Sequence, residues 1–156
     1  MKIKLLIAVV CLTTVTAFAT KHTDCSGSWQ FSPDKSKNIG MMAQMKMTQT
    51  IEQSDLSLDV TTHTTFQGRD EDSKTHYDLT GKPATNESPM GGPSETVSKW
   101  DGGKLVTTWT SESAVAGGPK VVRMETRSLS ADGKTMTVES IRGSNPAVVM
   151  VFEKKQ

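Results

Sequence analysis

The chain has 156 residues, with 18 basic against 17 acidic side chains and a formal charge of +1. Such balance excludes a surface built to neutralise nucleic-acid phosphates and a polybasic membrane anchor. Length predicts one ordinary domain, and at 35% hydrophobic and 5% aromatic the chain has material for a modest core.

The first nineteen residues read as a secretory signal. Lys2 and Lys4 give a positive start, "LLIAVVCLTTV" an apolar stretch too short to span a membrane, and Ala17-Phe18-Ala19 a small-x-small cleavage site. Cleavage after Ala19 would leave residues 20–156 as one mature domain of 137 residues, periplasmic or secreted. It removes two lysines and no acid, so 16 basic residues face 17 acidic ones, a charge of −1. Cys11 leaves with the signal. Cys25 follows "KHTD" rather than a small residue ending the apolar run, which argues against lipidation and leaves no internal disulfide. A free Cys25 could pair between chains, so the expected monomer has one route to a dimer.

The remainder alternates with period two and is rich in Thr and Val, which predicts strands. Nine are expected, at 26–31, 45–53, 56–66, 73–80, 94–100, 104–113, 120–129, 134–141 and 147–154. In "LSLDVTTHTTF", Leu56, Leu58, Val60, Thr62, Thr64 and Phe66 share one face. Asp101-Gly102-Gly103 and Asp132-Gly133 have hairpin-turn chemistry. Between the first two strands, 32–44 is expected to hold one or two helical turns, with Ser32 as N-cap and Pro33 in the first helical position. Residues 81–93, rich in Gly, Pro and Ser, read as a long loop and candidate lid. Sequential hairpins of this number favour closure, so the expected fold is all-β, an antiparallel up-and-down β-barrel of eight to ten strands with a short helical segment after the first.

Gly27-Ser28-Trp29 on the first strand, followed by the meander, resembles the calycin group of lipocalins and fatty-acid-binding proteins. "VSKWDGGKLVTTWT", "VVRMETRSLSADGKTMTV" and the closing "VVMVFEKK" are similar to the last hairpins of the fatty-acid-binding branch. The resemblance covers roughly residues 26–155 and implies a barrel around a small apolar ligand. It also implies a structural role for Trp29, as a plug at the closed end, with Gly27 allowing close backbone approach. The chain departs from that branch on the last strand, where Met150 and Phe152 stand in place of the carboxylate-binding Arg and Tyr.

The expected lining comprises Met45, Met47, Leu56, Leu58, Val60, Phe66, Tyr77, Trp109, Met124, Met136, Val138, Met150 and Phe152. Arg123 or Arg127 could supply a substitute cation for a ligand. Alternation sets both on one face with Glu125, and the cost of burying charge favours reading that face as a solvated, self-paired row.

Competing chemistry is thin. Met41, Met42, Met45 and Met47 could hold Cu(I), although methionines also fill cores. His22, His63 and His76 lack zinc spacing, and Cys25 lacks a positioned base. Asp70, Glu71 and Asp72 read as a solvated hairpin loop, and Asn86-Glu87-Ser88 matches a glycosylation acceptor. No nucleophile-elbow, phosphate-loop or dinucleotide motif occurs. The expectation is therefore a binder of an unidentified small apolar molecule, not an enzyme, with no cofactor or metal. Its alternatives are an envelope barrel with a filled core and periplasmic copper binding.

Overall fold

A computed structural model describes residues 22–88 and 91–156. The expected signal segment, its cleavage site and Cys11 lie outside the described residues. Ten strands form a single antiparallel sheet: β1 (Gly27–Phe31), β2 (Lys46–Gln53), β3 (Ser57–Phe66), β4 (Arg69–Asp78), β5 (Ala84–Glu87), β6 (Pro93–Asp101), β7 (Lys104–Ser111), β8 (Val121–Leu129), β9 (Thr135–Arg142) and β10 (Val148–Lys154). Their order is β4-β3-β2-β1-β10-β9-β8-β7-β6-β5. The meander therefore curls until β1 pairs β10, with Phe31 opposite Phe152, and β4 and β5 come face to face.

That last seam is bridged by a side chain. Asn86 on β5 accepts from the His76 backbone N–H at 2.8 Å and donates Nδ2 to the His76 carbonyl at 2.8 Å. The amide thus supplies the donor and acceptor that a neighbouring strand would offer. Its Nδ2 also reaches Thr96 Oγ1 at 2.8 Å, and Asn86 is only 7% exposed. The expected glycosylation acceptor is therefore a buried closure device. Asn86→Ala should cost about 1–3 kcal/mol, since two backbone groups and a hydroxyl lose their partner. Hydrogen exchange would show it as loss of protection at the His76 amide.

Two expectations about loops need correction. The hairpin turn after β3 is Gln67-Gly68, with φ of 51° and 77°, a two-residue connection joining Phe66 to Arg69. Asp70, Glu71 and Asp72 accordingly lie on β4 rather than in a loop. The second correction concerns 81–93, which is not a plain loop or lid, since it contains β5 and the start of β6. Pro83 and Pro93 bracket a four-residue strand too short to show alternation. The segment after β1 does turn helically, as 3-10 turns at Pro33–Lys35 and Gly40–Gln44. Pro33 takes the first position, but the Ser32 hydroxyl makes no cap. Instead Ser36 Oγ donates to the Ser32 carbonyl at 2.8 Å.

One end of the barrel is packed solid. Trp29, Leu58, Met136 and Phe152 are fully buried, with Ile51, Leu105 and Val138 nearly so. Trp29 Nε1 donates to the Cys25 carbonyl at 2.9 Å, and Lys154 Nζ stands 5.3 Å from the ring centroid. Gly27 keeps φ at +127°, and a Cβ there would meet Lys154 Cε at 3.1 Å, so this glycine admits the lysine that covers the indole. Cys25 is buried under the same floor, and that burial pushes its thiol up. Pairing between two folded chains would need this region to open first.

Candidate site inside the barrel

Inward-facing residues follow from register. On β8, Arg123, Glu125 and Arg127 stand opposite Trp109, Thr107 and Leu105 of β7, all of which are buried. The arginine row therefore faces the inside, contrary to the solvated reading. Its side chains are 17%, 7% and 3% exposed in order. The outward face of β8 instead carries Val122 and Met124, half exposed. Met124 is thus not lining, and neither is Leu56, which lies 67% exposed before β3 begins.

The charges stay inside because they are paired and bonded. Glu125 Oε1 accepts from Tyr77 Oη at 2.9 Å and lies 3.5 Å from Arg127 Nη2. Its Oε2 accepts from Arg123 Nη1 at 3.2 Å. Arg127 Nη1 donates to Gln49 Oε1 at 3.3 Å and contacts Met136 Sδ at 3.3 Å. Gln49 Nε2 passes the chain on to Thr62 Oγ1 at 3.3 Å, and Arg123 Nη1 also reaches Ser140 Oγ at 3.2 Å.

Aromatic faces complete the setting. The Arg123 guanidinium sits 4.4 Å from the Trp109 ring centroid and that of Arg127 5.6 Å from Tyr77, while Tyr77 meets Trp109 edge-on at 6.1 Å. Burial, reinforced by the neighbouring Glu125 charge, pushes the Tyr77 phenol well above its ordinary value of 10. It therefore remains a proton donor to Glu125 throughout the physiological range.

Among the described residues, three buried donors in this cluster have no protein acceptor: Trp109 Nε1, Arg123 Nη2 and Arg127 Nε. Orphaned donors cost about 1–3 kcal/mol each, so their concentration on two adjacent strands marks a place built to meet an acceptor. A fourth, Trp100 Nε1, belongs to β6, where the His22 ring stacks on the indole at 4.8 Å.

The predicted lining divides in two. Leu58, Val60, Tyr77, Trp109, Met136, Val138 and Phe152 are buried core. Met47 and Met150 are only partly buried and pack against that core, and Phe66 is half buried at the Gln67-Gly68 end. Met150, Val138 and Arg127 form one cross-strand row, so the looser apolar surface leads to the polar cluster. Met45 precedes β2 at the end of a 3-10 turn and is half buried. The methionine cluster is split, with Met41 73% exposed and Met42 and Met47 packed on the core. Among the described residues no group of three or more His, Cys, Asp or Glu is placed to hold a metal ion.

Two members of the cluster, Glu125 and Gln49, escape a reading of the sequence for ligand-binding residues. Gln49 carries a readable sign, as a lone polar residue on the Met47–Ile51 face of β2. Glu125 shows only its shared face with Arg123 and Arg127, because its phenol partner Tyr77 comes from a strand far away in sequence.

This ten-stranded barrel is similar in fold to solved structures of fatty-acid-binding and transport proteins. A structure described as the REP1-NXSQ fatty acid transporter matches with a TM-score of 0.64 at 16% identity, over 84% of this chain and 96% of its own. Echinococcus granulosus fatty-acid-binding protein 1 gives 0.65 at 12% identity, over 84% and 97%. A point mutant of the fluorescent protein UnaG gives 0.62 at 14% identity, over 84% and 96%. No protein family and no curated protein matches the sequence. At these identities the likeness is one of fold.

Proposed function

We propose that this chain is exported and holds a small hydrophobic ligand in the looser half of its barrel. The apolar part lies against Met47, Phe66 and Met150, and a hydrogen-bond-accepting end meets Arg123 and Trp109. The observation that carries this reading is the set of three acceptorless donors gathered on β7 and β8 inside the barrel. Matches to fatty-acid-binding and transport proteins support ligand binding over catalysis. Burial of the apolar part would supply roughly 25 cal/mol per Å² removed from water.

The rival reading is a filled envelope barrel, and a specific observation favours it. Two hollows among the described residues, of about 370 and 200 Å³, open to solvent beside β5. The first is lined by Asp59, Thr61, Lys74, His76 and Asn86 among others. Titration with Nile red, a neutral polarity-sensitive dye, separates the two readings. Ligand binding predicts saturable blue-shifted fluorescence in the parent chain, weakened at least about tenfold by Met47→Lys. No saturable signal in either protein would establish the filled barrel.

A further inference from the structure

We propose that Glu125 is a resident stand-in for a ligand's carboxylate, and that it steers the barrel toward ligands with an uncharged acceptor end, such as an alcohol or a ketone. This rests on the ligand-binding reading above. A carboxylate inside a barrel is best held by guanidinium and phenol donors. Here Tyr77 Oη, Arg123 Nη1 and Arg127 Nη2 already converge on the two Glu125 oxygens at 2.9, 3.2 and 3.5 Å. The strongest donors in the interior are consumed by the chain's own acid.

Tethering gives Glu125 an advantage that no diffusing acid has, because its effective concentration at those donors is fixed by the strand that carries it. An incoming carboxylate would have to displace it into a buried apolar wall or share guanidiniums with a like charge nearby. Displacement leaves a buried carboxylate unpaired, which is costly. The donors left over suit a single neutral oxygen instead. Trp109 Nε1 is an uncharged donor, and the spare guanidinium donors, Arg123 Nη2 and Arg127 Nε, lie on side chains that already contact Glu125 through another nitrogen. The cluster's one excess positive charge falls to Arg123, the most exposed of the three at 17%. That side chain keeps partial contact with solvent.

The test compares dodecanoic acid with 1-dodecanol, a pair of equal chain length, by Nile red displacement at a pH of about 8, where the acid is ionised. The parent chain should bind the alcohol at least as tightly as the acid. Glu125→Gln, which removes the charge and keeps the shape, should tighten the acid at least about tenfold, and by more than it moves the alcohol. Glu125→Asp, which withdraws the carboxylate by one methylene, should shift the preference the same way by less, and serves if the glutamine variant does not fold. A parent chain that already prefers the acid by about tenfold, or variants whose acid affinity does not rise, overturns the assignment. If the parent binds neither probe while Glu125→Gln takes up the acid, the role of Glu125 stands and the proposed neutral ligand falls. If no protein binds either probe, both fall.

Discussion

Arg127→Met should destabilise the barrel by about 3 kcal/mol, the lower end of what breaking a buried ion pair costs. The methionine replaces the guanidinium stem and restores packing against Met136. It leaves Glu125, 7% exposed, with Tyr77 and Arg123 as its remaining partners, and it strands the Gln49 carbonyl. The informative variant is the double one. Glu125→Gln with Arg127→Met removes both charges and should recover most of the loss, since a buried pair contributes little net stability against a neutral replacement of similar shape. The expected coupling energy is about 2–3 kcal/mol, measured by urea denaturation of the parent, both single variants and the double. A double variant no more stable than Arg127→Met would mean that the two side chains do not share one interior cluster.

Trp29→Ala should have the largest effect of any single change, about 3–5 kcal/mol. Typical domains hold only about 5–15 kcal/mol in total. The indole is fully buried among the floor residues. Its loss leaves a cavity, an unpaired Cys25 carbonyl and a lysine without the ring it covers. Trp29→Phe refills most of the volume and should recover more than half of the loss, the remainder reflecting the missing 2.9 Å bond to Cys25. Urea midpoints read both. A cost below about 1 kcal/mol for the alanine variant would show that the floor is not the packed end of the barrel.

Strand positions are legible where local chemistry and long-range pairing agree. Asp101-Gly102 and Asp132-Gly133 sit at hairpin ends, and β3 shows its alternation over ten residues because one face is buried and the other wet. β5 escapes notice because four residues cannot display a period and prolines surround it. The start of β4 is misplaced because three acids in a row look like a turn, whereas Gln67-Gly68 turns the chain with only one glycine.

The candidate site is half legible. Alternation puts Arg123, Glu125 and Arg127 on one face of β8 and Met124, expected to line the barrel, on the other. Desolvation cost then points the charges outward. That cost is met inside by Tyr77, 48 residues from Glu125, and by Gln49, 78 residues from Arg127. Only the barrel's closure brings these residues together, and nothing in the local sequence marks them as partners. The methionines illustrate the same limit. Four in seven residues invite a metal, yet alternation and the 3-10 turn send Met41 outward and Met47 inward.

Ligand carriage is tested most directly by native mass spectrometry of the chain purified from an exporting host, before and after mild organic extraction. The expected result is a mature N-terminus at Thr20 and a single bound mass of lipid size that extraction removes. A clean unliganded mass, with tryptophan fluorescence unmoved by neutral apolar probes, would contradict it.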